Sequence, residues 1–279
     1  MAVKPPFTEV DINTQDSGFY EGYSLPIALI SKISMVVLVL WALVWPLGAG
    51  SALSSWNASL LNGFNSFYVI STGLFAFFLF AVALIPSTGK RILGQPGDTP
   101  EFSNFSWFSM MFGAGIGIGM LTFATAEPMY HFAKNPSTIM GLTEGSTAGN
   151  VRDAYIWSFT HWGLAAWAAY AIVGLSLGFY AYRRGLPLTI RSALTPIFGK
   201  KLSGPIGHTI DVVAVVATVL GISQTLGFGV EQFISGLYTI GMGDWLYTVD
   251  TEGNRSSSTS GILFALLIIM GGSTLSALS

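Results

Sequence analysis

The stretch of this sequence that best suits a binding site has a glycine at every second position from Gly113 to Gly119. Each glycine weakens a helix by roughly 1 kcal/mol relative to alanine, so the stretch is a poor helix inside an apolar run. In a membrane, backbone that leaves the helix is tolerated where it lines a cavity, and broken helices form transporter binding sites. We therefore expect opened backbone that lines a substrate site at mid-membrane. The alternative is close helix packing, because Gly113 with Gly117 and Gly115 with Gly119 both fit the G-x-x-x-G pattern.

A group of aromatic side chains in the next apolar segment is suited to binding a cation. On a helix that turns by about 100° per residue, Trp162, Trp167 and Tyr170 fall within one arc of about 140°. Aromatic faces attract quaternary ammonium and sulfonium groups, and the attraction grows when water is excluded. The alternatives are ordinary packing for these three residues and an interfacial aromatic belt for Tyr155 and Trp157.

Other polar groups of the apolar segments are few. Glu127 and Asp211 stand at segment ends. The carboxylate of Glu127 could lie in an outer vestibule or at the water interface. Asp211 is close in sequence to two lysines and is expected to be a solvated or paired charge. Glu231 lies deeper, and an acid inside a membrane is a functional candidate. Thr218 offers an oxygen suited to Na⁺, although hydroxyls in membrane helices commonly bond their own backbone. The three histidines, including His161, lie on different loops or segments, which does not favour a haem or multi-histidine metal site.

The elements that carry these residues are predicted to be membrane helices. Apolar residues make up 51% of the 279 residues and charged residues only 9%. A bilayer core needs about 20 apolar residues to cross it. The net charge of −2 and the lack of a basic tail do not suggest nucleic acid, and the absence of cysteine excludes disulfides and thiolate chemistry. Six apolar segments of this kind can be delimited, at about 27–47, 67–86, 105–126, 154–181, 210–239 and 261–279.

The distribution of basic residues predicts the orientation of these segments. Nine lysines and arginines fall in the N-terminal flank and the loops at about 87–104 and 182–209, against three in the opposite loops. The positive-inside rule therefore places the N-terminus and those two loops in the cytoplasm. Within the second of these loops, residues 185–201 mix apolar spacing with positive charge, which predicts a short interfacial helix. The last segment is still apolar at Ser279, so we expect the chain to be an N-terminal piece of a longer protein.

Two other classes of membrane protein fit the sequence less well. A channel would use the glycine carbonyls as a filter, but filters are built from symmetric rings of such loops, and the sequence has no pore-lining repeat. A membrane enzyme would need clustered histidines, cysteines or a nucleophile with its base, and no such cluster is apparent, so we expect no enzymatic activity. A truncated fragment that does not transport is a further alternative.

Five stretches in order along the chain identify a family resemblance. They read MFGAGIGIG at 111–119, AEPMYH at 126–131, HWG with WAAY at 161–170, YRRGLPLTIRSAL at 182–194 and GPIGH at 204–208. Together they resemble the betaine/choline/carnitine transporter family. The resemblance covers nearly all of the chain after residue 25.

The resemblance implies a fold and a function. The fold is an all-α polytopic membrane protein with a sodium-symporter-like (LeuT-type) core of inverted repeats, the first of them incomplete in this chain. Residues 1–24 would form a cytoplasmic tail, 25–100 two peripheral transmembrane helices, and 101–279 a partial core of helices three to six. The protein would be a homotrimer in a bacterial-type plasma membrane. It would import glycine betaine, choline, carnitine or dimethylsulfoniopropionate by alternating access, with Na⁺ or H⁺ as coupling ion and no covalent cofactor.

Carried over residue by residue, the resemblance assigns two kinds of site. The substrate would bind in an aromatic box and against the opened third helix, and Na⁺ would bind the carbonyls of Gly113 and Ile116, with Thr218 as a weaker candidate. The substrate-binding residues would be Trp162, Trp167, Tyr170, Gly115, Gly117, Gly119 and Phe123.

The sequence also departs from the family pattern. Thr122-Phe123-Ala124 stands where many members read Phe-Trp/Tyr-Gly, which alters the pocket side of the third helix. Ile222 stands where sodium-coupled members can carry a second threonine after Thr218, which weakens a second Na⁺ site there. The eighth helix, which supplies the tryptophan-rich half of the box, has no counterpart in this chain.

Overall fold

The computed structural model describes residues 10–115 and 117–278, which are mostly helical. The twelve α-helices of this part are α1 Leu25–Val44, α2 Pro46–Leu84, α3 Pro86–Gly89, α4 Asn104–Gly115, α5 Ile118–Ala133, α6 Pro136–Ile139, α7 Val151–Phe159, α8 Trp167–Gly178, α9 Ile190–Ala193, α10 Thr195–Phe198, α11 Pro205–Thr239 and α12 Thr259–Leu278. Short 3₁₀-helices cover Ala148–Asn150, Gly199–Ser203 and Asp244–Leu246, and π-helices cover Thr160–Ala166 and Phe179–Arg183. Strands β1 Tyr247–Val249 and β2 Arg255–Ser257 form an antiparallel hairpin.

Four helical stretches are long and apolar enough to cross a membrane. They are Leu25–Val44, Pro46–Leu84, Ala148–Arg183 and Pro205–Thr239, and a shorter apolar stretch covers Thr259–Gly271. Large apolar side chains are exposed along α1 and α2, as expected where the surrounding solvent is lipid. These helices are those of a polytopic membrane protein, which confirms the class predicted from composition.

The second helix is longer than its apolar segment. We expected it at about 67–86, but α2 begins at Pro46 and runs for 39 residues. At 1.5 Å per residue it is about 58 Å long, roughly twice the thickness of a hydrocarbon core. Pro46 stands at the first helical position, where its fixed φ favours the start of a helix. The alanines, leucines and serines after Pro46 continue the helix through the stretch before residue 67, which hydropathy alone assigns to a loop.

The stretch Ala148–Arg183, which corresponds to the fourth apolar segment of the sequence and is called the fourth membrane helix below, is not a uniform α-helix. Between α7 and α8 the chain forms a π-turn at Thr160–Ala166, and a second π-turn at Phe179–Arg183 ends the span. In a π-helix the hydrogen bonds join residues five apart rather than four, and such turns are frequent at functional sites. The angles of 100° per residue used above for Trp162 and its neighbours are therefore wrong across this segment.

The predicted interfacial helix at 185–201 is divided into single turns. The helices α9 and α10 are four residues each, and the 3₁₀-turn Gly199–Ser203 follows them. Pro196 stands in the first turn of α10, and Gly199 adopts φ +55°, a conformation that favours glycine. This loop therefore does not form one continuous amphipathic helix.

The described residues form two compact units. One comprises residues within 1–101 and 128–218, where α2 packs against α1 and α8. The other comprises residues within 102–127 and 219–279. Its core is made by the buried side chains of Val230, Ile234, Leu246 and Ala265, which join α11, α12 and the segment before the hairpin.

Candidate functional site

The alternating glycines lie where two helices meet end to end in the sequence. α4 ends at Gly115 and α5 begins at Ile118. Gly117 is non-helical, and its carbonyl accepts the N–H of Leu121 at 3.3 Å. Ile116 lies outside the described residues. The non-helical part is thus shorter than the predicted 113–119, because Gly113 and Gly115 close α4 and Gly119 already belongs to α5.

Ends of helices expose backbone groups with opposite polarity. The last four carbonyls of a helix and its first N–H groups have no partner within that helix. The carbonyl of Gly113 belongs to the last turn of α4, at the negative end of the helix dipole. The N–H of Gly119 belongs to the first turn of α5, at the positive end. Carbonyls at the first end suit a cation, and N–H groups at the second suit an anionic group.

Gly119 does not serve close packing in this structure. A methyl group placed on its Cα would meet no atom of the described residues within 4 Å. The G-x-x-x-G alternative requires that another backbone approach the glycine closely. At Gly119 no such approach occurs within the described part of the chain.

The predicted substrate residue Phe123 contacts α11. Its ring meets that of Phe228 edge to face, with 5.8 Å between the ring centres. One turn along α11, the side-chain amide of Gln232 donates a hydrogen bond to the hydroxyl of Thr122 at 2.6 Å. Thr122 and Phe123 are therefore both held by α11. Gln232 was not predicted, although a glutamine next to Glu231 within an apolar segment is a signal that could have identified it.

The structure brings together two of the three predicted box aromatics. The rings of Trp167 and Tyr170 in α8 lie 5.6 Å apart at a tilt of 43°. Trp167 is 39% exposed and Tyr170 is 72% exposed, so neither side chain is buried by the described residues. Trp162 is half-buried in the preceding π-turn, and its ring is 6.0 Å from that of His161. Trp157, for which an interfacial belt is one interpretation, donates its indole N–H to Ser137 at 3.1 Å.

The π-turn changes the relation between the two tryptophans. Trp162 and Trp167 are five residues apart, which on an α-helix places them about 140° apart. Hydrogen bonds that span five residues bring positions with this spacing closer to one face. The turn therefore favours a common orientation of Trp162 and Trp167 more than the α-helical spacing does.

The isolated polar candidates differ in how far they are buried. Thr218 donates its hydroxyl to the carbonyl of Ala214 at 2.7 Å, which is the ordinary helical bond, and its lone pairs remain available. Glu231 is exposed and accepts the hydroxyl of Ser257 at 2.6 Å from the β-hairpin. Glu127 is 8% exposed, so it does not stand at an open water interface within this structure.

Asp211 is a paired charge, as one of its two interpretations predicted, but its partner is not a lysine. Its carboxylate accepts the Nε–H of Arg191 at 2.7 Å and the backbone N–H of the same residue at 3.2 Å. Both residues are buried. The partner was missed because 20 residues separate the two in sequence, and only the reversal of the chain between α9 and α11 brings them together.

Comparison of the sequence with known proteins identifies one family of relatives. Residues 26–279 match the betaine/carnitine/choline family of transporters. The chain is 37% identical over 239 residues to an osmo-dependent choline transporter of Acinetobacter baylyi, which covers 86% of the chain and 33% of that relative. It is 43% identical over 200 residues to a glycine betaine transporter of Bacillus subtilis, with 71% and 38% covered. A high-affinity choline transport protein of Escherichia coli is 43% identical over 174 residues, with 62% and 25% covered.

These matches also set the extent of the comparison. The chain spans about a quarter to two fifths of the length of the curated relatives named above. The family match, by contrast, runs through all but the first 25 residues of the chain. The chain belongs to the betaine/carnitine/choline transporter family.

Proposed function

We propose that this chain forms part of a secondary active transporter that imports a quaternary ammonium or sulfonium solute by alternating access. The family match and the betaine and choline transporters among its relatives support the class of solute. The helix interruption between Gly115 and Ile118 is the geometric observation that carries the proposal. Interrupted helices are where transporters of this kind bind substrate and coupling ion.

The onium head would bind to the aromatic side chains of the fourth membrane helix. Trp167 and Tyr170 present two adjacent ring faces, and the π-turn before them favours a similar orientation for Trp162. A desolvated cation over such rings gains about 2 kcal/mol. Because the interaction is with the ring quadrupole and needs no hydrogen bond, it suits a methylated cation that has no N–H to donate.

The interrupted helix would bind the polar groups of the transported species. N–H groups at the start of α5, including that of Gly119, suit a carboxylate, and Gly115 and Gly117 leave room for its close approach. Phe123 would form part of the same wall. The carbonyls of Gly113 and Ile116 would bind Na⁺ in a sodium-coupled mechanism, with Thr218 as a further oxygen donor. Proton coupling is the other possibility for the same cycle.

The membrane arrangement follows from charge and family. We propose a multi-pass protein of the bacterial plasma membrane with a cytoplasmic N-terminus, because basic residues are nine to three on that side. We also propose a homotrimeric assembly, which rests on the family resemblance.

Uptake into proteoliposomes tests the proposal. Labelled glycine betaine, choline, carnitine and dimethylsulfoniopropionate are offered to the full protein, with and without a gradient of Na⁺ or of protons. We expect saturable uptake of at least one solute that depends on one of the gradients. Flux that rises linearly with concentration and ignores both gradients would indicate a channel and contradict the proposal.

Variants of the aromatic residues test the proposed site. Trp167→Ala removes one ring face, and a loss of about 2 kcal/mol corresponds to a roughly thirtyfold lower kcat/KM. Trp167→Phe retains a ring and is expected to keep most of the activity. The matched control is Trp56→Ala, because Trp56 forms a similar tilted pair with Trp41 at 5.9 Å in the region predicted to be peripheral. Equal losses in Trp167→Ala and Trp56→Ala would refute the assignment of the box.

A further inference from the structure

Two neighbouring residues of α5 are held by two residues of α11, and we call this group the α5–α11 clasp. It consists of Thr122, Phe123, Phe228 and Gln232. Gln232 donates its side-chain amide to the hydroxyl of Thr122 at 2.6 Å, and the two phenylalanine rings meet edge to face at 5.8 Å. Phe228 and Gln232 are four residues apart in α11 and therefore lie on the same face of that helix. Because Thr122 and Phe123 are adjacent, both contacts act on one short part of α5.

The clasp lies on a different face of α11 from the one that is buried in the core. The core residues Val230 and Ile234 are two positions before and two positions after Gln232. Two positions on an α-helix correspond to about 200°, so Gln232 points away from that core. Its side chain is exposed, whereas the two core side chains are buried. Replacing the amide of Gln232 should therefore leave the packing of the core intact.

The clasp is close to the interruption between α4 and α5. α5 begins at Ile118, and Thr122 is its fifth residue, about 6 Å along the helix axis from the start. Gly117, directly before α5, is non-helical, and glycine restricts the backbone angles less than any other residue. The orientation of the first turn of α5 therefore depends on side-chain contacts such as those of the clasp.

We infer that Gln232 is a positioning residue for the solute site at the start of α5. The inference rests on the proposed function, in which the N–H of Gly119 binds the polar end of the solute and Phe123 forms part of the wall. Gly119 lies between Gly117 and Thr122, so the hydrogen bond from Gln232 determines where this N–H points. Gln232 acts through Thr122 and does not itself contact the solute.

The size of the effect follows from the strength of hydrogen bonds between membrane helices. Such a bond contributes on average about threefold to an equilibrium constant. Without it, the arrangement of α5 that binds solute is less populated by this factor, and the apparent affinity falls in proportion. A contact of this strength holds the helix without locking it, which suits a segment that has to move during alternating access.

A double-mutant cycle on solute uptake tests the inference. The full protein, Gln232→Leu, Thr122→Val and the double variant are reconstituted in proteoliposomes. KM and kcat are measured for whichever of glycine betaine, choline, carnitine and dimethylsulfoniopropionate the parent transports best. We expect each single variant to raise KM about threefold with little change in kcat. The double variant should raise KM by the same factor, and not by the roughly ninefold of two independent losses.

Two matched variants control for the change of a threonine side chain. Thr122→Ser keeps the hydroxyl that accepts from Gln232 and should keep the KM of the parent. Thr239→Val removes a hydroxyl of α11 that donates to the carbonyl of Ser235 in the same helix at 2.8 Å, so KM should not change. Circular dichroism verifies that each variant folds.

The outcomes separate this inference from the proposed function. Additive rises in KM would mean that Gln232 and Thr122 act independently, and they would overturn the inference while the uptake itself still supports a transporter. An unchanged KM in either single variant, or loss of folding in Gln232→Leu, would also overturn it. If the parent takes up none of the four solutes, the proposed function is wrong and the inference fails with it.

Discussion

Removing the carboxylate of Asp211 is expected to destabilise the protein strongly. This group accepts two hydrogen bonds from Arg191, through Nε at 2.7 Å and the backbone N–H at 3.2 Å. Arg191 is fully buried, and its remaining bonded nitrogen, Nη1, donates to the carbonyl of Leu202 at 2.9 Å. In Asp211→Ala the guanidinium of Arg191 would keep its charge, and its remaining hydrogen bond would be to the neutral carbonyl of Leu202. A buried charge left without its partner costs about 3–5 kcal/mol of unfolding free energy.

Replacing both partners is expected to cost less than replacing one. Arg191→Met with Asp211→Leu removes both charges and fills the space with apolar groups, which is often close to neutral for a buried pair. It also removes Nη2 of Arg191, a buried donor with no acceptor among the described residues. Two terms remain, because the backbone N–H of Arg191 loses its acceptor and the carbonyl of Leu202 loses the Nη1 donor, each at a cost of about 1–3 kcal/mol. Asp211→Ala carries the first of these terms in addition to the unpaired buried charge, so we expect the double variant to lose less stability than that single variant.

Unfolding by sodium dodecyl sulfate in mixed micelles, followed by tryptophan fluorescence, measures these differences. Asp211→Asn is the most conservative variant, since it keeps the shape and one oxygen. The reasoning is wrong if Asp211→Ala costs less than about 1 kcal/mol, or if the two single losses simply add in the double variant. Either result would mean that the pair is not the interaction that joins this loop to α11.

Three further predictions concern other parts of the chain. Gly207→Ala should lower the free energy of unfolding by about 1–3 kcal/mol in the same titration, because a Cβ there would overlap the carbonyl of Leu202. Asn150→Ala should cost about 2–4 kcal/mol in that assay, because this fully buried amide bonds two carbonyls and accepts from Asn135 and a neighbouring hydroxyl. The pKa of Asp250 is lowered, first by the Asn254 side-chain amide and then by backbone N–H groups. The stabilisation by Asp250 should therefore be complete above its unfolded pKa and disappear as pH falls through its folded pKa, so thermal midpoints of parent and Asp250→Asn should converge in acid.

The first two of these have a control within the chain. Gly221→Ala lies in the same helix as Gly207, but its Cβ meets nothing within 4 Å, so it should be neutral or slightly stabilising. Asn65→Ala removes an exposed amide that bonds only its neighbour and should change stability little. If Gly221→Ala were as harmful as Gly207→Ala, the overlap with Leu202 would not be the cause.

Hydropathy predicted the membrane segments because a bilayer imposes a length and an apolar composition that can be read without tertiary structure. It failed at α2, where residues before 67 are helical without being strongly apolar. It also divided the chain differently at 105–126, where the apolar run is continuous but the helices end at Gly115 and begin at Ile118. The alternating glycines predicted this interruption of the helix. Glycine lowers the helix propensity of the backbone at its own position, and this local property can be read from the sequence.

Side-chain partners were less accessible to sequence reasoning. Arg191 and Asp211 are 20 residues apart, and Thr122 and Gln232 are 110 apart. Nothing in either local pattern selects these pairs, because each depends on how separate segments pack. The aromatic pair of Trp167 and Tyr170 could be anticipated, since positions three apart on a helix are neighbours.

The two π-turns of the fourth membrane helix connect these observations. π-helix is rare because its wider turn is less favourable than an α-turn, so two in one span indicate that each position benefits from it. The first turn contains Trp162, and Trp167 of the aromatic pair directly follows it; the second ends at Arg183, whose Nη1 donates to the carbonyl of Gly94 at 3.0 Å. Each turn changes the direction in which the following side chains point without interrupting the helix. A single span can therefore bring Trp162 and Trp167 closer to one face than α-helical spacing would, and it ends in a turn that is hydrogen-bonded to the segment after α3.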